Sequence, residues 1–373
     1  LIISFCVTGI KTLTANVSAE RRLAKGGMCL TILKALFYLT FATYKADIIL
    51  FMQVHHYANK MPHFRNAVIT IGTFDGVHTG HLQILNQLKK QAEKAGGVSV
   101  IITFHPHPRK VVGGQQSEVR LLNSLEEKIA LLDKSGIDHL VIIPFTEDFA
   151  RQSAIDYVEN FLIKQFNPYT IIIGYDHRFG RNREGNYQLL EALKDKYGYE
   201  IIEISEKVWN NVTISSTKIR QSLLNGNIGE ANELLGYPYF LQGEVVEGKK
   251  LGRTIGYPTA NIRLNDEEKL VPSNGVYAVK ACIVSKMEDE KHSDKSFKPD
   301  LVGMMNIGVR PTVQGTHRTI EVNLFNFDRE IYGETIRVYF FKRLRGEVKF
   351  ESLDALKTQL AKDKKEVENL ESC

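Results

Sequence analysis

Two histidines and several glycines in the run Ile71-Gly72-Thr73-Phe74-Asp75-Gly76-Val77-His78-Thr79-Gly80-His81 have the types and spacing for phosphate chemistry. The apolar stretch Ala67–Ile71 before them reads as a buried parallel strand, and Leu82–Leu88 after them has helical spacing. Where a strand hands over to a helix, free backbone N–H groups and the positive end of the helix dipole point outward and collect anions. Gly80 allows an anion to approach the backbone closely. His78 and His81, three residues apart, share one face of the first helical turn. Two imidazoles there can hydrogen-bond phosphate oxygens as negative charge builds in a transition state. A single histidine near a helix start reads as a capping or surface residue. The ordered combination of strand, glycines, paired histidines and helix is what selects the phosphate reading.

Other segments carry weaker versions of the same chemistry. Gly174-Tyr175-Asp176-His177-Arg178-Phe179-Gly180 follows the strand Thr170–Ile173, and on its own residues is equally a surface turn. Ile214-Ser215-Ser216-Thr217-Lys218-Ile219-Arg220 opens a helix. Its hydroxyls either cap that helix or hold phosphates together with Arg220, a bidentate donor. In Gly252-Arg253-Thr254-Ile255-Gly256-Tyr257-Pro258-Thr259-Ala260-Asn261, Thr259 and Asn261 are two apart and share one face of an extended segment. A hydroxyl and an amide oxygen are hard ligands suited to Mg²⁺, although a glycine turn feeding a strand explains the same run. Glu321 sits in Arg318-Thr319-Ile320-Glu321-Val322-Asn323, where an isolated glutamate is ordinarily a solvent-facing cross-strand partner. Gly243–Lys250 mimics a P-loop but lacks the final hydroxyl and a following helix, so it is set aside.

The elements that must position these residues fall into two textures. From Ala67 to Ile204, apolar strands (67–71, 98–104, 139–143, 170–174, 199–204) alternate with helices near 81–95, 124–135, 154–166 and 185–197. That alternation predicts a parallel, doubly wound sheet whose ligands bind beyond the carboxyl ends of the strands. The chemical residues fall at those ends, as does His105-Pro106-His107-Pro108. After Tyr237-Pro238 come alternating stretches at 240–246, 275–284, 319–325 and 336–341 with glycine-rich turns, which predict an antiparallel barrel or sandwich. Ser285–Pro299 reads as a solvated hairpin loop, and a helix from about Phe350 to Asn369 closes the chain.

The 373 residues allow two or three domains, and 43% hydrophobic with 24% charged residues is ordinary for a soluble globular protein. Four scattered cysteines, Cys6, Cys29, Cys282 and Cys373, suggest neither disulfide framework nor zinc site and fit a reducing, cytoplasmic location. Of the 48 basic and 43 acidic residues, six and two lie in residues 1–51, leaving a near-neutral 42 and 41 in the rest. Such a body is not expected to be held to nucleic acid by counterion release. Residues 28–51 are moderately apolar, but the longest uncharged stretch, Ala35–Tyr44, is too short to cross a bilayer, so no membrane partner is expected. The patterns Asn16-Val17-Ser18 and Asn211-Val212-Thr213 carry no weight in a cytosolic chain.

The run Gly72–His81 resembles the HxGH signature of the nucleotidylyltransferases, in the longer form of the bacterial FAD synthetase family. Gly174–Gly180 is similar to that family's GxDFRFG segment, with His177 where phenylalanine is commoner, and Ile214–Arg220 to its ISSTxIR motif. Gly252–Asn261 resembles the riboflavin kinase motif GRxxGxPTAN, and Asn306–Thr312 the segment NIGxRPT. Over residues 52–370, the motifs stand in the order of the bifunctional riboflavin kinase/FMN adenylyltransferase (FAD synthetase) family.

The resemblance implies an α/β plus β protein: an N-terminal Rossmann-like nucleotidylyltransferase sheet, then a riboflavin-kinase antiparallel β-barrel with a C-terminal helix. The implied divisions are a non-native extension at 1–51, an adenylyltransferase domain at 52–236 and a kinase domain at 237–373. Met52 is then the expected natural start, with a targeting segment as the alternative that composition supports. The implied activity is ATP-dependent phosphorylation of riboflavin to FMN, then adenylyl transfer to FMN with release of pyrophosphate. The resemblance assigns ATP of the second reaction to Gly72, Phe74, Asp75, Gly76, His78, His81, Asp176, Ser215, Ser216, Thr217 and Arg220. ATP of the kinase goes to Gly252, Gly256, Pro258, Thr259 and Asn261, Mg²⁺ to Thr259 and Asn261, flavin to Arg310 and Glu321. Glu321, His78 and His81 are the implied catalytic residues. Two rivals remain at this stage: an HxGH nucleotidylyltransferase with another acceptor, such as phosphopantetheine or nicotinamide mononucleotide, and a non-catalytic flavin-sensing regulator. The intact Thr259–Asn261 pair and Glu321 argue against both.

Overall fold

Short apolar runs that are buried on both faces build a parallel sheet of six strands: β1 (Gln53–His56), β2 (Val68–Ile71), β3 (Ser99–His105), β4 (His139–Pro144), β5 (Thr170–Gly174) and β6 (Glu200–Ile204). The computed structural model of the chain describes residues 52–57, 61–113, 119–204, 214–248, 250–284, 299–312 and 315–371, and the backbone alone at 310–312, 315–317 and 371. The expectations for residues 1–51, for the charged run 285–298 and for the sequence pattern at Asn211 lie outside the described residues. Strand order is β1-β4-β3-β2-β5-β6. From β2 the chain winds one way through β3 and β4, then returns to the other side as β5 and β6. The carboxyl ends of β2 and β5 therefore flank the crevice where such a sheet binds ligands.

Helices pack on the sheet: α1 (Thr79–Ala95), α2 (Leu125–Asp133) and α3 (Tyr187–Tyr197). Their ends follow local chemistry. α1 stops at Gly96, whose φ of 57° is left-handed and whose N–H reaches the Ala92 and Glu93 carbonyls. α2 starts with a reciprocal capping box between Ser124 and Glu127. The helix expected at 154–166 is continuous but widens into a π-helix over Tyr157–Ile163, which turns Tyr157, Val158, Phe161 and Leu162 into the core. Two short helices follow the sheet, α4 (Ser216–Asn225) and α5 (Ile228–Leu235).

The second half is a closed antiparallel barrel, which resolves the barrel-or-sandwich alternative. Its strands are β7 (Phe240–Val246), β8 (Ala260–Leu264), β9 (Gly275–Val284), β10 (Leu301–Thr312), β11 (Gly315–Leu324) and β12 (Thr335–Arg345), in the order β10-β11-β8-β7-β12-β9. Leu241, Val245, Ile262, Tyr277, Met305, Ile307, Ile320, Val322, Val338 and Phe340 fill its interior. Helix α6 (Leu353–Glu371) lies on the outer wall, where Val367 joins Val276, Ala278 and Met304. A buried Asp363 accepts from Arg345 at Nε (3.0 Å) and Nη2 (2.8 Å), pinning that helix to β12.

Candidate active sites

The first site gathers at the carboxyl end of β2. His78 is the N-cap of α1, not a residue of its first turn, and its Nδ1 accepts the His81 N–H at 3.3 Å. In the neutral ring the proton then sits on Nε2, a donor free of the cap. The two imidazoles stack with centroids 3.6 Å apart and planes 12° apart, and the Phe74 ring lies 5.1 Å from His81. Burial lowers the His78 pKa to about 4, with the nearby Arg220 charge helping. Burial, His78 and Lys128 hold His81 well below its ordinary value. Both rings are therefore neutral donors at physiological pH. Gly80 also has a packing role, since a Cβ there would stand 3.2 Å from His78 Nδ1.

The loop between β2 and α1 is strained. Phe74, Gly76 and Val77 have φ of 47°, 88° and 37°, and a β-branched residue at positive φ persists only when its surroundings enforce it. The enforcement comes from Asp75, α4 and the segment around residue 121. Buried Asp75 forms an ion pair with Arg220, and its Oδ1 accepts from the Leu122 N–H (2.9 Å) and the Asn123 N–H (3.4 Å). Ser216 donates to the Asp75 carbonyl at 2.8 Å and Tyr237 to the Gly76 carbonyl at 2.7 Å. Arg220 Nε also donates to the Arg120 carbonyl at 2.8 Å. Asp75 and Ser216 thus brace the loop from within. Ser215 caps α4 by accepting the Lys218 N–H at 3.2 Å, and Thr217 is exposed on the first turn. Gly72 lies against Phe74, whose ring would be 3.1 Å from an added Cβ.

The turn after β5 lies beside β2 in the sheet. Asp176 is exposed there, and the His177 N–H closes the turn onto the Gly174 carbonyl at 3.0 Å. The His177 ring lies 5.9 Å from Phe179, its Nε2 is buried with no hydrogen-bond partner among the described residues, and burial lowers its pKa to about 4. It packs as an aromatic ring.

The second site is on the outer wall of the barrel. Glu321 pairs in register with Asn261 of β8 on one side and Asn306 of β10 on the other. Paired residues share a face of a sheet, so these three side chains form one row across three strands. Their neighbours Ile320, Val322, Ile262, Met305 and Ile307 point into the barrel core. Thr259, one residue before β8, is half-buried like Asn261 and Glu321. Two glycines close over the pair: a Cβ on Gly248 would stand 2.1 Å from Asn261 Nδ2, and one on Gly252 would stand 2.2 Å from the Tyr257 carbonyl and 3.4 Å from Thr259 Oγ1. Gly256 has a left-handed φ of 85° that ends this turn, and Pro258 is exposed. Asn323 is a residue that sequence reasoning passed over. It is buried and donates to the Pro258 carbonyl at 2.6 Å, fixing the turn to β11. The backbone of Arg310 lies in β10 opposite His317, and its side chain lies outside the described residues.

Among the described residues no group of three or more His, Cys, Asp or Glu side chains could hold a metal. Oxygen donors such as Thr259 and Asn261, completed by phosphate, are a donor set that suits Mg²⁺ better than zinc. No described helix is long and apolar enough to cross a membrane.

Comparison with known proteins matches residues 60–218 to the family model described as FAD synthetase and residues 235–371 to the one described as riboflavin kinase. A protein of Buchnera aphidicola subsp. Schizaphis graminum named bifunctional riboflavin kinase/FMN adenylyltransferase is 40% identical over 302 residues, 80% of this chain and 92% of its own length. Proteins of the same name from Escherichia coli K12 and Bacillus subtilis 168 are each 37% identical, covering 79% and 80% of this chain and 90% and 91% of their own. A crystal structure described as a macrolide-efflux protein from Streptococcus pneumoniae superposes with a TM-score of 0.73 at 32% identity, covering 85% of this chain and 99% of that one.

Proposed function

Since this chain belongs to the bifunctional riboflavin kinase/FMN adenylyltransferase family, and so converts riboflavin to FMN and FMN to FAD with ATP, we propose how its two sites divide the work. The adenylyltransferase module is residues 52–236 and the kinase module residues 237–373. The observation that carries the kinase half is the in-register row Asn306–Glu321–Asn261, because it sets a carboxylate beside the amide and hydroxyl that would hold Mg²⁺–ATP.

In the kinase site Glu321 takes the proton of the ribityl 5′-hydroxyl as that oxygen attacks the γ-phosphorus and ADP leaves. Thr259 and Asn261 would hold Mg²⁺ together with the phosphates, and when bound it would supply neutralisation of phosphate charge. Gly252, Gly256 and Pro258 shape the loop over ATP, and Arg310 takes part in binding flavin. In the adenylyltransferase site an oxygen of the FMN phosphate attacks the α-phosphorus of ATP, and pyrophosphate leaves. No covalent nucleophile is required, so alignment and charge stabilisation carry the rate. His78, through Nε2–H, and His81 donate to the triphosphate alongside the free N–H groups of α1. The first turn of α4, with Ser215, Ser216, Thr217 and Arg220, receives the leaving pyrophosphate. Gly72, Phe74, Asp75 and Gly76 hold the loop in place, and Asp176 faces the donor nucleotide. A cytoplasmic location fits an ATP-consuming enzyme with these substrates.

Purified protein incubated with riboflavin, ATP and Mg²⁺ tests the scheme. Chromatography should show FMN appearing first, then FAD with one pyrophosphate for each FAD. FMN that accumulates without FAD would remove the second half of the scheme. Absence of FMN would remove the first.

A further inference from the structure

One cation in the first site has no part in the steps above. Lys128 lies on α2, immediately after its capping box, and is 7% exposed. Its neighbour Glu127 turns the other way to Lys269. Among the described residues the Lys128 ammonium makes no hydrogen bond and no ion pair. The carboxylate that attracts it, Asp75, is already committed to Arg220 and to two backbone N–H groups. An ammonium on so enclosed a side chain, with no directly paired anion, is costly, and folds seldom retain one without compensation.

The surroundings specify what would compensate it. Lys128 is close enough to act electrostatically on His81 and on His107. His107 is buried and N-caps the short helix Pro108–Val112, its Nδ1 accepting the Arg109 N–H at 3.2 Å, which leaves Nε2–H as a donor. The imidazoles are neutral and Asp75 offsets Arg220, so Lys128 leaves uncompensated positive charge among these donors, and Arg109 and Lys110 add to it at His107. An enclosed site with surplus positive charge and several N–H donors fits a phosphate chain.

We infer that Lys128 is a catalytic residue of adenylyl transfer, with its ammonium on a phosphate oxygen of ATP, where it offsets the charge that develops as the bond from the α-phosphorus to pyrophosphate breaks. The inference rests on the reading of this site as the adenylyltransferase. FMN also carries phosphate oxygens, so the test must separate the two ligands.

The variants are Lys128→Met and Lys128→Arg, each assayed for FMN-to-FAD and riboflavin-to-FMN conversion. Lys128→Met should lower kcat for FAD formation about 100-fold, the scale for loss of one preorganised donor, and Lys128→Arg should recover most of it. FMN formation should stay within twofold of wild type in both, which also reports folding. Retention of FAD formation within threefold in Lys128→Met overturns the inference. So does an arginine variant as poor as the methionine one, because charge would then be irrelevant. A crystal structure of the unmutated protein with α,β-methylene-ATP, or with FMN alone, needs no variant to fold. Nζ within hydrogen-bonding distance of a nucleotide phosphate supports the assignment, and Nζ on FMN alone or on neither ligand ends it. A wild-type protein that forms no FAD at all removes the site reading itself, and this inference with it.

Discussion

At the residue scale, each assignment separates one activity from the other. Glu321→Gln keeps size and the β11 register but cannot accept a proton. It should lower FMN formation from riboflavin at least about 100-fold, the usual yield of general base catalysis, with FAD formation from supplied FMN unchanged. A loss shared equally by both assays would refute the role. His177 makes a different kind of prediction. Its pKa falls from 6.5 to about 4, chiefly through burial, with Arg178 and Arg183 assisting and Asp176 opposing. Between those values the unfolded chain binds a proton that the folded chain refuses. Its contribution is therefore present above pH 6.5 and is lost as pH falls toward 4. Phenylalanine in its place also removes a buried, unsatisfied Nε2. Denaturant titrations at pH 7 and pH 5 should show His177→Phe losing about 2 kcal/mol less than wild type across that interval. An equal loss would mean the imidazole titrates normally.

At the scale of elements, the glycines decide how closely loops approach ligand residues. Gly248→Ala would put a Cβ onto the Asn261 amide, which must then swing out of the row with Glu321. Displacing a positioning group by an ångström costs about 100-fold in rate, so FMN formation should fall by that order while FAD formation holds. Gly229 in α5 has nothing within 4 Å of an added Cβ. Gly229→Ala should leave both activities alone and raise stability by about 0.5–1 kcal/mol, measured by chemical denaturation. The difference between these two glycines is invisible in the sequence, because it depends on what faces them. The parallel strands were legible because Val68–Ile71 and Ser99–Phe104 are buried on both faces and read as unbroken apolar runs. β10 was not, because Gly303, Asn306 and Gly308 interrupt its alternation, and β1 was not because it is a four-residue edge strand with two histidines. The phosphate-binding turns were legible as ordered motifs, yet the inward use of Asp75 was not, since its partners are 47 and 145 positions away. Lys128 hid for a simpler reason: a lysine on a helix is read as solvated unless its place beside Leu125, Ile129 and Leu132 is given weight.

At the scale of the molecule, the two modules share more than a chain. Lys269 directly follows the acidic run Asn265-Asp266-Glu267-Glu268, which looks like a solvated turn, but it is buried against the other module. Its ammonium pairs with Glu127, donates to the Leu122 carbonyl at 2.7 Å, and lies 4.7 Å and 4.9 Å from the rings of Tyr239 and Phe240. Beside it Leu121 bonds in both directions to the barrel, its N–H to the Glu268 carbonyl and its carbonyl to the Leu270 N–H, each at 2.7 Å. Arg120 donates to the Glu267 carbonyl. The segment tied down in this way is the one whose N–H groups hold Asp75 and whose Arg120 carbonyl holds Arg220. The kinase barrel thereby supports the strained loop of the adenylyltransferase. Lys269→Met would leave Glu127 buried and unpaired, a loss of about 3–5 kcal/mol, and would loosen residues 120–123 first. On warming, that variant should lose FAD formation several degrees below the temperature at which FMN formation fails, whereas in wild type the two should fail together. If the two activities decay in parallel in Lys269→Met, the contact serves stability alone and the adenylyltransferase loop does not depend on the barrel.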